Sequence, residues 1–415
     1  MALKEKIICV YDGFSREEPT PLGRLYVGSL RGSESYSFSY DEAWLAENAN
    51  FQSLDPALMP FPGRQFPVGK GMFGAFADAS PDRWGRVLMN KRERLLADKE
   101  GRKARKLLDS DYLLGVYDIT RMGGLRFKLS PDGDFVSDDK SFSVPPWATL
   151  RTLEEASRNL EKEELITEKW LAQLLRPGSS LGGARPKATV ADADGNFWIA
   201  KFPSKHDEND TGAWEMVAHD LAQKSGLNVP EARLERFSSL GSTFLVKRFD
   251  RNGKRRVHFA SAMTLLGKTD GASAADGTSY LDIAGFIKAN GASPQKDLTE
   301  LWKRIVFNMA ISNTDDHLRN HAFLFTANGW RLSPLYDVNP VSYGDELSLN
   351  VDDGDNRISI ELALRTAPRF GLSEKKARYL ADEILTVVRE NWKRFAEKYC
   401  ISRANIEAMK SAFLS

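Results

Sequence analysis

The sequence predicts an α+β fold that is sheet-rich at its start and helical at its end, and two patterns carry that prediction. Between Lys6 and Tyr40 the apolar residues fall in short β-like runs, with Val10, Leu25, Val27 and Leu30 separated by turn clusters such as Asp12-Gly13 and Arg31-Gly32. In the C-terminal half the spacing becomes helical, most clearly where Ala377, Leu380, Ala381, Ile384, Val387, Val388 and Phe395 form one stripe that ends near Tyr399. A chain of 415 residues is too long for one ordinary core, so two or three packed subdomains are expected.

The elements between follow in order. Helical patterns cover Asp41 to Asn48 and, after the Pro-Gly-rich stretch Pro56 to Gly71, Pro81 to Leu96, where Pro81 suits a first helical turn. The segment Pro131 to Pro146, rich in Asp, Ser and Pro, reads as a linker. A polar helix from about Leu150 to Leu175 leads into Pro177-Gly-Ser-Ser-Leu-Gly-Gly-Ala-Arg-Pro186, whose glycines permit tight turns and close approach of a ligand. Two strands, Ala188 to Ala193 and Phe197 to Phe202, are joined by Asp194-Gly195, a strong hairpin signal. A helix over Thr211 to Ser225 and strands over Ala232 to Phe237 and Thr243 to Phe249 complete the middle of the chain.

Composition excludes several classes. The hydrophobic share of 42% and charged share of 28% are ordinary for a globular protein, and no run approaches the ~20 apolar residues of a membrane span. A formal net charge of +1 argues against a dedicated nucleic-acid binder, and the basic run Lys91 to Lys106 reads as a solvated helix and loop. Cys9 and Cys400 are the only cysteines, too few for a disulfide framework or a cysteine-rich zinc site. With no apolar signal region ahead of Ile7-Ile-Cys-Val-Tyr11, the expected location is the cytoplasm.

Three segments carry candidate chemistry. In the first, Lys201 follows the glycine loop on a strand, where a lysine can hold α- and β-phosphates, and Glu215 on the next helix is placed to pair with it. The second is Asn313-Thr-Asp-Asp-His-Leu-Arg-Asn320, at the end of an amphipathic helix carrying Leu301, Ile305, Met309 and Ile311. Such a polar cluster is costly to bury unless it binds something. The offset from Asp315 to Asn320 matches the protein-kinase catalytic loop, in which the acid accepts a hydroxyl proton and the asparagine holds a metal. The third is Leu332-Ser-Pro-Leu-Tyr-Asp-Val338, after a hairpin turning at Ala327-Asn-Gly329; here Asp337 occupies the place of a carboxylate that would hold Mg²⁺. Together these imply a protein-kinase-like, bilobed arrangement: a sheet-rich part over 1–145, a nucleotide-binding region over 146–260, and a helical lobe carrying the catalytic loop over 261–415.

Other motifs fail on their chemistry. Asp192-Ala-Asp-Gly195 resembles the opening of a calcium loop, but Pro203 stands where a bidentate glutamate is needed, which leaves a hairpin turn. Asp352-Asp-Gly-Asp355 reads as an acidic surface loop. His206, His219, His258 and His321 lack zinc-ligand spacing and read as ordinary surface or packed residues, and Ser179 and Ser180 lack the Gly-x-Ser-x-Gly setting of a hydrolase.

The glycine loop ending Gly183-Ala-Arg-Pro-Lys187, then Val246-Lys-Arg-Phe-Asp-Arg251, Thr314-Asp-Asp-His-Leu-Arg-Asn320 and Tyr336-Asp337, resemble the HipA family of bacterial serine/threonine-protein kinase toxins. The likeness runs nearly the full length and includes Phe76-Ala-Asp-Ala-Ser-Pro-Asp-Arg-Trp-Gly85. It implies ATP and Mg²⁺ as cofactors, Asp315 as catalytic base, Asn320 and Asp337 as metal ligands, and Lys201, Gly182, Gly183, Lys187, Arg248, Phe249 and Glu215 around ATP. It also implies autophosphorylation in the glycine loop, at Ser180 by counting back from Gly183-Ala184, with Ser179 adjacent. Further implied are a small HipB-like helix-turn-helix antitoxin, contact with DNA only through that antitoxin, and a protein substrate of which aminoacyl-tRNA synthetases are examples among relatives. The chain departs from the family pattern at Lys247, in place of a glutamate, at Asp316, in place of a glycine, and at Arg185-Pro186, in place of Gln-Glu. Two rival readings are a small-molecule kinase and a catalytically silent corepressor module acting with a DNA-binding antitoxin.

Overall fold

Alternation of apolar and polar residues produces the first sheet. In the computed structural model, which describes residues 5–30, 32–49, 51–69, 71–137, 144–162, 174 and 185–413, β1 (Glu5–Asp12), β2 (Thr20–Leu30), β3 (Ser33–Tyr40) and β4 (Leu125–Lys128) form an antiparallel sheet in the order β3-β2-β1-β4. Ile8, Val10, Leu25, Val27 and Phe38 point to one side and are buried with Phe76 and Phe127. The register slips between Val10 and Tyr11, so that Asp12 ends β1 with its Oδ1 accepting from the N–H groups of Phe14 and Ser15, both at 2.9 Å. Helix α1 (Arg83–Lys99) begins two residues after Pro81, with the Asp82 carboxylate accepting from Gly85 N at 2.8 Å as its cap.

The chain divides into two compact units, one of residues 1–204 with 248–260 and one of residues 205–247 with 261–415. The first unit also holds α2 (Leu150–Glu161) and the hairpin of β5 (Lys187–Ala191) and β6 (Phe197–Lys201). Asp192 closes that hairpin, accepting from the N–H groups of Asp194 and Asn196 and from Trp198 Nε1. It is a turn residue, as the missing calcium ligand predicted, and Gly195 takes the left-handed backbone the turn needs, with φ of 80°.

The second unit is mostly helical. Helix α3 (Thr211–Lys224) is capped by Asp210, which also accepts from Ser242 N–H and Oγ. Gly212 in its first turn lies so close to Ser242 that a Cβ would meet that carbonyl at 2.2 Å. Strands β7 (Ala232–Glu235) and β8 (Thr243–Lys247) pair antiparallel. Helices α4 (Tyr280–Asn290) and α5 (Pro294–Ala310) precede the hairpin of β9 (Ala322–Thr326) and β10 (Gly329–Leu332), which turns through Ala327-Asn328. The 25-residue α6 (Glu374–Lys398) buries Ala377, Leu380, Ala381, Ile384 and Val388, while Val387 and Phe395 at the stripe's edge are half-buried. Among the described residues no helix is long and apolar enough to cross a membrane.

Candidate active site

Helix α5 is amphipathic, burying Leu298, Leu301, Trp302, Ile305 and Met309, and delivers the chain at Ala310 to a loop that runs from Asn313 to His321 before β9 begins. The turn out of the helix uses Ser312 in the left-handed region, φ 49°. Asn313 then folds back on the helix end, its N–H donating to the Asn308 carbonyl at 2.8 Å and its Nδ2 to Asn308 Oδ1 at 3.0 Å. Inside the loop the Asp315 carbonyl accepts from His317 N–H and from Asn320 Nδ2, both at 3.0 Å. That second bond leaves Asn320 Oδ1 as the atom with coordinating capacity.

Neighbouring acids face opposite ways. The Asp315 side chain is exposed, whereas Asp316 is fully buried and receives Tyr280 Oη at 2.7 Å, Asn308 Nδ2 at 2.7 Å and His321 Nε2 at 2.8 Å, all on Oδ2. Burial alone would raise the Asp316 carboxyl, but His321 and the Tyr280 hydroxyl overrule it and hold it below the usual carboxylate range. The same burial, with Asp316 beside it, pushes the Tyr280 hydroxyl far above its ordinary value, so it remains a donor. Asp315 is displaced the other way: the surrounding protein, then the charges of Asp337 and Asp316, raise its pKa against the lowering influence of His317.

Asp337 is therefore near enough to Asp315 to be felt electrostatically. It occupies the left-handed region with φ of 57°, an uncommon conformation that clusters at functional sites when it occurs outside glycine. Tyr336, beside it, donates to the Arg319 carbonyl at 2.5 Å and so ties this segment to the loop. The donor chemistry fits a hard cation: an amide oxygen of Asn320 and a carboxylate of Asp337, set where carboxylates already repel. Among the described residues no three His, Cys, Asp or Glu side chains gather as a metal cage, so a cation here would draw its other ligands from phosphate and water.

The residues expected around a nucleotide are distributed between the units. Lys201 ends β6 opposite Lys187 in the ladder, and Glu215 is buried on α3 in the second unit. Lys187 is only 1% exposed, its Nζ 2.9 Å from Asp82 Oδ2, so the lysine after the glycine loop is ion-paired inside the first unit. Phe249 is half-buried with its ring 6.4 Å from that of Phe259. Gly182, Gly183, Ser179 and Ser180 lie outside the described residues.

Arg248 belongs to a buried charge network. Its guanidinium donates to both oxygens of Asp250 at 2.9 and 2.7 Å and to the Thr120 carbonyl at 2.7 Å. Arg251 donates to Asp250 Oδ2 at 2.6 Å and to the Arg121 carbonyl at 2.7 Å, while Arg126 and Arg256 converge on Asp118. Burial would raise Asp250, but the Arg248 and Arg251 charges outweigh it and depress the carboxyl strongly. The Arg248 side chain is thus wholly engaged with protein.

Sequence reasoning missed two of the residues that organise the loop. His321 read as an ordinary histidine and Asp316 as a replacement for glycine, yet both are fully buried and bonded to one another. A signal was available: a second acid directly beside a candidate catalytic acid, with a histidine five positions later, on the edge of a strand.

A sheet-rich first unit, a helical second unit and an acidic loop between helix and hairpin define a kinase-like α+β fold. The model of the HipA-like C-terminal domain matches residues 179–392, just over half of the chain, and the chain belongs to the HipA family. It is similar to HipA in the complex of the Shewanella oneidensis MR-1 toxin–antitoxin proteins HipA and HipB with operator DNA, at a TM-score of 0.68 and 16% identity over 98% of this chain and 94% of that one. It is 27% identical over 244 residues to Y4mE of Sinorhizobium fredii, provisionally named a kinase, covering 53% of this chain and 50% of that protein. A provisionally named kinase of Haemophilus influenzae is 28% identical over 200 residues, covering 44% of this chain and 57% of that protein. The chain thus spans about half the length of these curated relatives.

Proposed function

We propose that this chain is an ATP- and Mg²⁺-dependent serine/threonine protein kinase, the toxin component of a HipA-like toxin–antitoxin pair. The observation that carries the reading is the loop itself: Asp315 exposed and crowded by Asp337, with Asn320 held to the Asp315 backbone so that its amide oxygen remains for a cation. Asp315 orients the acceptor hydroxyl and takes its proton as the oxygen attacks the γ-phosphorus. Asn320 and Asp337 hold Mg²⁺, which when bound offsets charge on the phosphates. Lys201 grips the α- and β-phosphates from the end of β6, and Phe249 packs near the base. Lys187 and Arg248 act one step back, through Asp82 and Asp250, by holding the hairpin and the segment after β8 in place.

In this reading 146–260 is the nucleotide-binding region and 261–415 the catalytic lobe. Gly182 and Gly183 cover the phosphates, and Ser180 is the site of autophosphorylation, whose added charge of about −1.5 to −2 repels bound ATP and switches the enzyme off. The presence of HipB and operator DNA in the Shewanella complex supports a small DNA-binding antitoxin as partner here. The test is incubation of purified chain with MgATP and cell extract, followed by phosphoproteomics against an Asp315→Asn control. New phosphoserine or phosphothreonine only with the wild type supports the reading; a phosphorylated metabolite and no phosphoprotein would replace it with a small-molecule kinase.

A further inference from the structure

Each of the two loop residues proposed to meet substrate or metal is followed directly by a residue locked into the core. Asp315 precedes Asp316, and Asn320 precedes His321; Asp316 and His321 are both fully buried and joined by the 2.8 Å bond between Oδ2 and Nε2. That bond closes the loop on itself from the inside. Two further donors fix the pair to the scaffold: Tyr280 at the start of α4 and Asn308 near the end of α5, each 2.7 Å from the same oxygen. Asn308 in turn holds Asn313, the first residue of the loop, and the His321 carbonyl accepts from Ala262 N–H at 2.8 Å. The Tyr280 and His321 rings meet edge to face at 5.7 Å, which fixes the imidazole plane.

We infer that Asp316, with Tyr280, Asn308 and His321, is a positioning network that aims the Asp315 carboxylate outward and fixes the backbone carrying Asn320, itself only 3% exposed, by holding the residue after each of them in the core. The inference rests on the kinase reading for its consequence, but not for its geometry. The loop follows no regular repeat, so the anchored side chains of 316 and 321, and not a backbone period, fix the backbone at 315 and 320 and with it the placement of those two side chains. Misplacing a catalytic group by about 1 Å costs about 10²-fold in rate, which gives such an anchor leverage far beyond a single hydrogen bond. Asp316 Oδ1, by contrast, makes no hydrogen bond among the described residues, so the three donors on Oδ2 define one orientation of the carboxylate.

Asp316→Ala leaves buried donors without an acceptor and is prone to misfolding, so the decisive variant is Tyr280→Phe, which removes one oxygen and keeps the ring contact. Two readouts on the full chain apply. Hydrogen exchange of peptides covering 313–321 should quicken about tenfold, equivalent to about 1.4 kcal/mol of local opening, while exchange in α6 stays unchanged. MgATP turnover, followed by ADP release, should fall about tenfold in kcat with little change in KM for ATP, and the same substitution should cost nothing further in an Asp315→Asn background. Unchanged exchange in the loop, or an equal turnover loss with and without Asp315, overturns the inference. A wild type that turns over no MgATP refutes the kinase reading alone, and loop exchange then decides the positioning network by itself.

Discussion

Asp250 in the first unit and Asp316 in the second are both fully buried carboxylates held ionised by hydrogen-bonded neighbours, but their chain neighbours behave differently. Around Asp250 the flanking Arg248 and Arg251 turn inward with it, and both carboxylate oxygens are bonded, one also to the Gly123 N–H at 2.8 Å. Beside Asp316 the preceding Asp315 turns outward, its charge felt by a second, half-buried acid, Asp337. The first arrangement saturates its donors and acceptors and has only a structural role to fill. The second uses buried bonds to hold Asp315 exposed beside a neighbouring acid, which is what a site for a cation and phosphates requires.

The comparison breaks most sharply on substitution of the exposed acid. Asp315→Asn should lower phosphoryl transfer by about 10²–10⁴-fold, the usual contribution of a positioned acid or base, while the urea unfolding curve is unchanged. Asp250→Ala should do the reverse to the fold: removing one partner from a buried charge network strands two guanidinium groups and should cost about 3–5 kcal/mol in the same unfolding measurement. If Asp250→Ala unfolds at the wild-type urea concentration, the first network is not the strut described. Next in size is Asp337→Ala, which should weaken nucleotide binding about tenfold in calorimetry with Mg²⁺ and leave it unchanged without the metal, because the carboxylate reaches ATP through the cation. Equal loss in both conditions would show that the left-handed backbone at 337, and not cation binding, depends on that side chain.

How much of this was legible in the sequence follows from the range over which each feature acts. The turns at Asp194-Gly195 and Ala327-Asn328 and the stripe on α6 depend on residues within a turn or two of one another, and local pattern revealed them; the cap at Asp82 was not read, since Pro81 suggests a first helical turn whereas the helix starts at Arg83. That Asn320 folds back on Asp315 could be read from spacing, because an offset of five residues within one loop is itself local. The partner of Lys187 and the carbonyl partners of Arg248 were not legible, since Asp82 and the carbonyls of 120–121 lie far away along the chain and no period connects them, although Arg248 also pairs with Asp250 two residues on. Nor was the inward face of Asp316, because a loop has no fixed repeat from which to read which of two adjacent acids is buried.

The smallest expected effect concerns a carboxylate intermediate between the two networks. Asp220 on α3 accepts from Tyr399 Oη at 2.6 Å and Lys398 Nζ at 2.9 Å at the end of α6, with its side chain 14% exposed. Burial would raise it, but the neighbouring His219 imidazole and the hydrogen bonds from Tyr399 and Lys398 lower its carboxyl to about 2. Because the folded value lies below the unfolded one, the stabilisation is complete above the unfolded pKa of about 3.9 and is lost as pH falls toward 2. Asp220→Asn should therefore lower stability by about 1–2 kcal/mol at pH 7, and the gap between wild type and variant should narrow steadily below about pH 4. Urea unfolding of both proteins at pH 7, 4 and 3 measures it. A gap that stays constant with pH would mean that Asp220 joins α3 to α6 through packing and neutral hydrogen bonds, which would set it apart from both Asp250 and Asp316.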